Sequence, residues 1–183
     1  MMNVNDLRRE ANLLFESLQK ESDRGDALVN AAFFDTTLER LLRARFCYGD
    51  AKRAKLIEPL FDAFGPLSTF SAKIRISYAI DLLHESMAND LDLVRRIRNA
   101  FAHSLEPKTF QDPTITRMVD NLAAFGAAKV NVDFEKLPPD RVSRFKFDVT
   151  CSRIGALLQA KVVVQQSELP WDAKRDFMLA PNL

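Results

Sequence analysis

Three residues in the stretch LDLVRRIRNAFAHS, Leu91–Ser104, have the types and spacing to do chemistry: Arg98, Asn99 and His103. A histidine can act as general acid or base near neutral pH. A guanidinium can clamp a phosphate and stabilise charge developing on it. An asparagine can position a hydroxyl or a phosphate oxygen. Together they would support metal-free phosphate chemistry. Lys73, Arg75, Arg95 and Arg96 would add contacts to a nucleic-acid backbone or to another partner. The structural alternative is that these are solvated helix charges and a histidine capping a helix end.

The stretch reads as a helix. Leu91, Val94, Ile97 and Phe101 mark an apolar stripe, and Asp92, Arg96, Asn99 and His103 a polar one. Arg98 belongs to neither. It falls between Val94 and Phe101, on the side expected to face protein, where a charge needs an acid, a ligand phosphate or a second subunit as partner. Five residues of helix turn the side-chain direction by about 500°, so Arg98 and His103 point about 140° apart with a rise of about 7.5 Å. For both to meet one phosphate, the helix must break near Ala102, or a symmetric dimer must bring two copies to one cleft.

Composition narrows the remaining choices. The chain has 183 residues, 47% hydrophobic and 28% charged, which suits one domain with a soluble, globular balance. Only 5 Gly stand against 14 Phe, which leans towards helix. A net charge of +1 excludes a broadly basic nucleic-acid binder but not a local basic patch. No apolar run spans a bilayer, and the N-terminus MMNVNDLRRE has no apolar signal core, so a cytoplasmic protein is expected. Cys47 and Cys151 read as two reduced structural thiols. There is no P-loop, dinucleotide fingerprint, nucleophile elbow or HExxH word, and two histidines make a zinc site improbable. No metal and no cofactor are expected. His84 is expected at a helix C-terminal end.

Placing these residues calls for helices along most of the chain. Asn5 or Asp6 caps a helix to about Lys20. Asp26 starts a second, to Phe46, with Phe33 and Phe34 making it apolar on more than one side and central. Tyr48-Gly49-Asp50 leads into a third, Ala51 to about Ile57, interrupted by Pro59. Phe61 and Phe64 are expected to plug the core. Gly65-Pro66 is a break, and Ser68 or Thr69 caps a helix from Phe70 to about Leu83. HESMAND reads as a polar link before the Leu91–Ser104 helix. Asp112-Pro113 starts a sixth helix to about Phe125, stopped by Gly126. From Arg141 to Gln165 a long helical period competes with a hairpin in which Val130, Val132 and Phe134 pair with the alternation Phe145, Phe147, Val149; length decides for helix. The expectation is an all-α, single-domain bundle of about seven helices over residues 1–166 and an irregular tail over 167–183.

The block GPLSTFSAKIRISYAIDLL followed by LDLVRRIRNAFAHS resembles the mannitol operon repressor family. The likeness rests on Gly65-Pro66-Leu67, Phe70 to Ile74, Tyr78-Ala79 and Ile97 to His103. It implies an all-helical negative regulator of transcription of a sugar-alcohol uptake operon. The Arg-x4-His word also resembles HEPN domains, helical bundles that are often dimeric and include metal-independent ribonucleases. That likeness implies a HEPN-like fold, a homodimer, and Arg98, Asn99 and His103 as active-site residues. A non-catalytic partner-binding module is the third reading. With net charge near zero and no compact helix-turn-helix, regulation is expected through a protein or RNA partner, with weak or no duplex DNA binding.

Overall fold

The computed structural model describes residues 21–47, 51–127 and 137–181, and the described residues form eight helices and no strand. The expected helix before Lys20, the Tyr48-Gly49-Asp50 turn and the Val130–Phe134 arm of the alternative hairpin lie outside them.

The centre is α1, Asp23–Phe46. Ser22 caps it, its hydroxyl accepting from Gly25 N at 3.1 Å. Asp23 and Asp26 in the first turn and Arg43 and Arg45 in the last match the helix dipole. Ala27, Ala31, Phe34, Leu38, Leu41 and Leu42 recur at helical spacing and are all buried. Helix α1 packs against α2 (Ala51–Phe61), α3 (Phe70–Ala79), α4 (Glu85–Ala102) and α7 (Pro139–Gln166), which bears out its expected central place.

Helix α7 is one helix of 28 residues, so length did outweigh alternation: Phe145, Phe147 and Val149 lie within it. Pro139 opens it, where a missing N–H costs nothing. Gly155 of α7 faces α1, where an added Cβ would lie 3.2 Å from Phe33 Cε1. Phe101, Phe110 and Phe147 join α4, the following loop and α7, with ring centroids 5.2 and 4.9 Å apart in turn. Each such fully buried side chain contributes roughly 1.5–3 kcal/mol relative to exposure.

Several boundaries differ from expectation. Helix α2 runs through Pro59 to Phe61 rather than stopping at Ile57. Gly65 then fits a turn with no room for a side chain, since a Cβ there would lie 2.3 Å from Pro59 O and 2.4 Å from Leu60 O. Phe61 is buried, but Phe64 is fully exposed rather than a core plug. Thr69 caps α3, accepting from Ala72 N at 3.2 Å. Helix α3 ends at Ala79, four residues early, because Asp81 takes φ 60°, a left-handed conformation that aspartate tolerates.

The expected sixth helix is two: α5 (Pro113–Asp120) and α6 (Ala123–Ala127). The break is made by Asp90 of α4, whose carboxylate oxygens accept from Ala123 N and Ala124 N, each at 2.8 Å. Gly126 lies inside α6 rather than ending it.

The segment expected as an irregular tail carries α8, Trp171–Met178, with Met178 buried. Two lysines staple it reciprocally to α7. Lys161 of α7 donates to Phe177 O and Met178 O, and Lys174 of α8 donates to Gln165 O and Ser167 O at 3.0 and 2.7 Å. Each ammonium meets carbonyls at or just beyond the other helix's C-terminal end, where orphan acceptors and the dipole favour a cation. The sequence pattern showed neither partner, so the segment read as irregular.

Candidate functional site

Helix α4 carries the candidate site. Leu91, Val94, Ile97 and Phe101 are buried as the apolar stripe requires. The helix starts at Glu85, not Leu91, so HESMAND supplies its N-cap and first turns rather than a link. His84 is that N-cap: its Nδ1 accepts from Ser86 N at 3.2 Å and lies 2.8 Å from Ser86 Oγ. The expected place at a helix C-terminus is therefore corrected; the ring nitrogen takes the part that a Ser or Asp oxygen plays in an ordinary cap.

His103 is the C-cap, exposed, its N–H donating to Asn99 O at 3.1 Å. That bond keeps His103 on the helical path, so the angular mismatch with Arg98 survives the end of the helix at Ala102. Arg98 is exposed and donates to Asn99 Oδ1 at 3.0 Å, so it does not face the protein interior as expected. The Val94–Phe101 interval is wide enough for its side chain to clear the core. Asn99 is half-buried and links the two, its side chain to Arg98 and its carbonyl to His103. Arg24 from α1 adds a donor at this end, Nη2 to Ala102 O at 3.2 Å, and Leu105 just beyond is fully exposed.

The four basic residues expected to bind nucleic acid or a partner do not share one environment. Lys73 is buried, its Nζ 3.0 Å from Asp35 Oδ1 and 2.9 Å from Glu39 Oε2. Burial alone would lower its pKa; the two carboxylates raise it. It belongs to a network, because Glu39 also accepts from Arg43 Nε at 2.9 Å and Arg43 reaches Glu58 at 3.1 Å. That network ties α1, α2 and α3 together and withdraws Lys73 from any surface role. Arg95 is half-buried and pairs with Asp92 at 2.7 Å. Arg75 and Arg96 are exposed.

Sequence reasoning missed a buried acidic cluster. Asp26, read as a helix start, lies one turn inside α1 and is fully buried. Its Oδ1 accepts from Asn30 Nδ2 at 2.8 Å, and its Oδ2 is buried without a hydrogen-bond partner, near Asp148 on α7. Burial first, then the Asp148 carboxyl, pushes Asp26 up to about 8, while Arg144 opposes the shift. Asp148 is raised too, by burial. Arg144 bridges outward: Nη1 to Asp23 Oδ1 at 2.9 Å and Nη2 to Glu21 O at 3.0 Å. Asp23 Oδ2 in turn accepts from Phe110 N at 2.9 Å, which pins the loop leading away from His103. The only signal in the sequence was Arg144 four residues before Asp148, an ordinary surface spacing. Cys151, on the same helix, is buried and raised by that burial; Cys47 is half-buried, and the two form no disulfide with each other.

Among the described residues no group of three His, Cys, Asp or Glu could hold a metal ion, and no helix is long and apolar enough to cross a membrane. Fold and site together define an all-helical bundle built round one long central helix, with a polar cluster at the end of α4. The chain belongs to the mannitol repressor family, MtlR, whose model matches residues 10–168, and its role is regulatory. No curated relative matches the chain. A solved chain similar to it comes from the X-ray structure of the MtlR–HPr complex from Escherichia coli, with TM-score 0.58 and 17% identity, covering 92% of this chain and 98% of that one.

Proposed function

We propose that this chain is a cytoplasmic negative regulator of a mannitol-type uptake operon, acting through a protein partner rather than by gripping operator DNA. The observation that carries the reading is the fate of the basic side chains. Lys73 is buried among acids and Arg95 is paired with Asp92, leaving Arg75, Arg96 and Arg98 without a positive recognition helix around them. The similar MtlR was solved with HPr, which supports HPr or a protein like it as the partner. Isothermal titration of the full chain with HPr tests this, beside retention of operator DNA. Saturable HPr binding with only salt-sensitive DNA retention is expected. Operator binding that survives roughly 0.2 M salt, with no HPr binding, would overturn it, because purely electrostatic affinity collapses over that range.

A second reading is supported by the exposed Arg98 and His103 and the half-buried Asn99 at one helix end beside exposed Leu105. In it two copies associate there, HEPN-like, and form a metal-independent ribonuclease. His103 takes the proton of a ribose 2′-hydroxyl, the 2′-oxygen attacks the phosphorus held by Arg98, and the 5′-oxygen leaves with a proton, giving a cyclic phosphate. Cleavage of mixed RNA in EDTA, abolished by His103→Ala, is its test; a monomer inert towards RNA excludes it.

A further inference from the structure

We propose that Asp26, Asp148 and Arg144 form a proton-operated clasp on the loop that follows the polar end of α4: protonated, the clasp holds the loop at Phe110, and loss of the proton loosens it. The geometry is a relay of contacts. Asp26 of α1 is fully buried, and its Oδ2 has no hydrogen-bond partner. Asp148 of α7 stands beside it, its Oδ1 also buried and without one. One guanidinium lies against both: Arg144 Nε is 3.8 Å from Asp26 Oδ2 and 3.9 Å from Asp148 Oδ2, too far to hydrogen-bond either. Its Nη1 and Nη2 are directed outward, to Asp23 Oδ1 at 2.9 Å and to Glu21 O at 3.0 Å. Asp23 Oδ2 then accepts from Phe110 N at 2.9 Å. Phe110 anchors the loop. Its ring is fully buried against Phe101 and Phe147, and its carbonyl accepts from Thr116 Oγ1 at 2.8 Å. The loop begins at exposed His103 and carries exposed Leu105, so its order sets how both are presented.

The carboxyl pair sets the direction of the response. Once Asp26 ionises, two carboxylates meet across the α1–α7 contact, and like charges at low dielectric repel. Two movements relieve them. Arg144 swings inward to hydrogen-bond both and gives up Asp23, or α1 and α7 part and water enters. Either disturbs the Phe110 anchor, the first through Asp23 and the second through Phe147. The titratable and charged groups around Asp26 are Asp23 on its own helix and Arg144, Asp148 and Cys151 on α7; Asp90 of α4 acts on Cys151. The thiol is held well above its ordinary range and stays neutral. Burial first, then Asp148, brings Asp26 up to about 8. In an open state reached by water it returns towards about 4. Opening therefore releases a proton. Its equilibrium constant rises by about tenfold per pH unit at most between those two values, and levels above the upper one.

Amide hydrogen exchange of the full chain, read by NMR between about pH 5 and 9 and corrected for the intrinsic base-catalysed rate, tests this. Phe110 N reports the clasp, and Leu38 N, in the buried face of α1, reports global opening. Expected at Phe110 is an opening constant above that of Leu38 at every pH, climbing to about pH 8 and then flat. Asp26→Asn should remove the climb. Asp148→Asn, which takes away the like charge, should move the levelling to lower pH. Asp23→Ala should raise Phe110 opening at the acid end, where the clasp is closed. Circular dichroism verifies that each variant is folded. The wild-type profile alone overturns the proposal if Phe110 opening is independent of pH, or if it equals that of Leu38 throughout, since the proton then acts only on global unfolding. A climb that persists in Asp26→Asn, or no rise in Asp23→Ala, overturns it as well.

Discussion

Replacing Asp26 by Asn should uncouple stability from pH between about 4 and 8. Burial, with the Asp148 carboxyl nearby, pushes Asp26 up to about 8 against an ordinary value of 3.8. The folded state therefore keeps a proton that the unfolded chain releases above about pH 4. A group raised in this way gives its full stability below its unfolded pKa and loses it as pH climbs through the folded value. A span of about four units, at about 1.4 kcal/mol each, sets a ceiling near 6 kcal/mol. Arg144, 3.8 Å from Asp26 Oδ2, and the partly exposed Asp148 soften this to about 2–3 kcal/mol lost by pH 8. The introduced amide would stay neutral, keep an oxygen for Asn30 Nδ2 and offer an N–H to Asp148. Urea unfolding followed by circular dichroism at pH 5, 6, 7 and 8 gives the comparison. The Asp26→Asn advantage should grow with each step to about 2–3 kcal/mol. The window stops at 8 because Lys161, pushed down to about 8 by burial, adds stability of the opposite slope above it. Parallel profiles, or a variant less stable at pH 8, would refute the raised Asp26 carboxyl.

Asp90→Ala should cost about 2–3 kcal/mol in the same unfolding assay, since a part-buried and a buried amide of α6 lose their acceptor; Asp90→Asn should cost less, because one oxygen remains. Lys73→Ala should cost about 2–4 kcal/mol by leaving Asp35 and Glu39 facing each other, whereas Arg75→Ala should stay within about 0.5 kcal/mol. Gly65→Ala should destabilise by more than about 1 kcal/mol, read as a lowered melting temperature, because its Cβ meets backbone carbonyls that cannot rotate aside. Lys161→Met should loosen α8, and limited proteolysis should then cut near Trp171 before any other described segment.

The fold was legible where one helix face alone decides. Leu91, Val94, Ile97 and Phe101, and Ala27 to Leu42, marked their helices because periodic burial leaves a periodic sequence. It was illegible where a partner distant in sequence decides. Asn121 and Leu122 hold no strong breaker, yet the helix stops there because Asp90, some thirty residues earlier, caps α6. Likewise 167–183 is polar and proline-bearing. The lysine exchange between Lys161 and Lys174, buried Met178 and the Asp81–Arg175 pair hold Trp171–Met178 back against the bundle as a helix.

The candidate site divides along the same line. Arg98, Asn99 and His103 stand out by type and spacing; Asn99 is bonded to both the others at the end of α4, while Arg98 and His103 still point apart. Their environment was not readable, because an intermediate helical angle does not tell a core position from a surface one: Arg98 is exposed while Lys73, which looked like a surface charge, is buried. The acids that bury Lys73 come from α1, so its apparent availability vanishes once α1 and α3 pack. The consequence for function is physical. Charges that fold into the α1–α3 packing, as Lys73 does with Asp35 and Glu39, stabilise the bundle and are withdrawn from any partner.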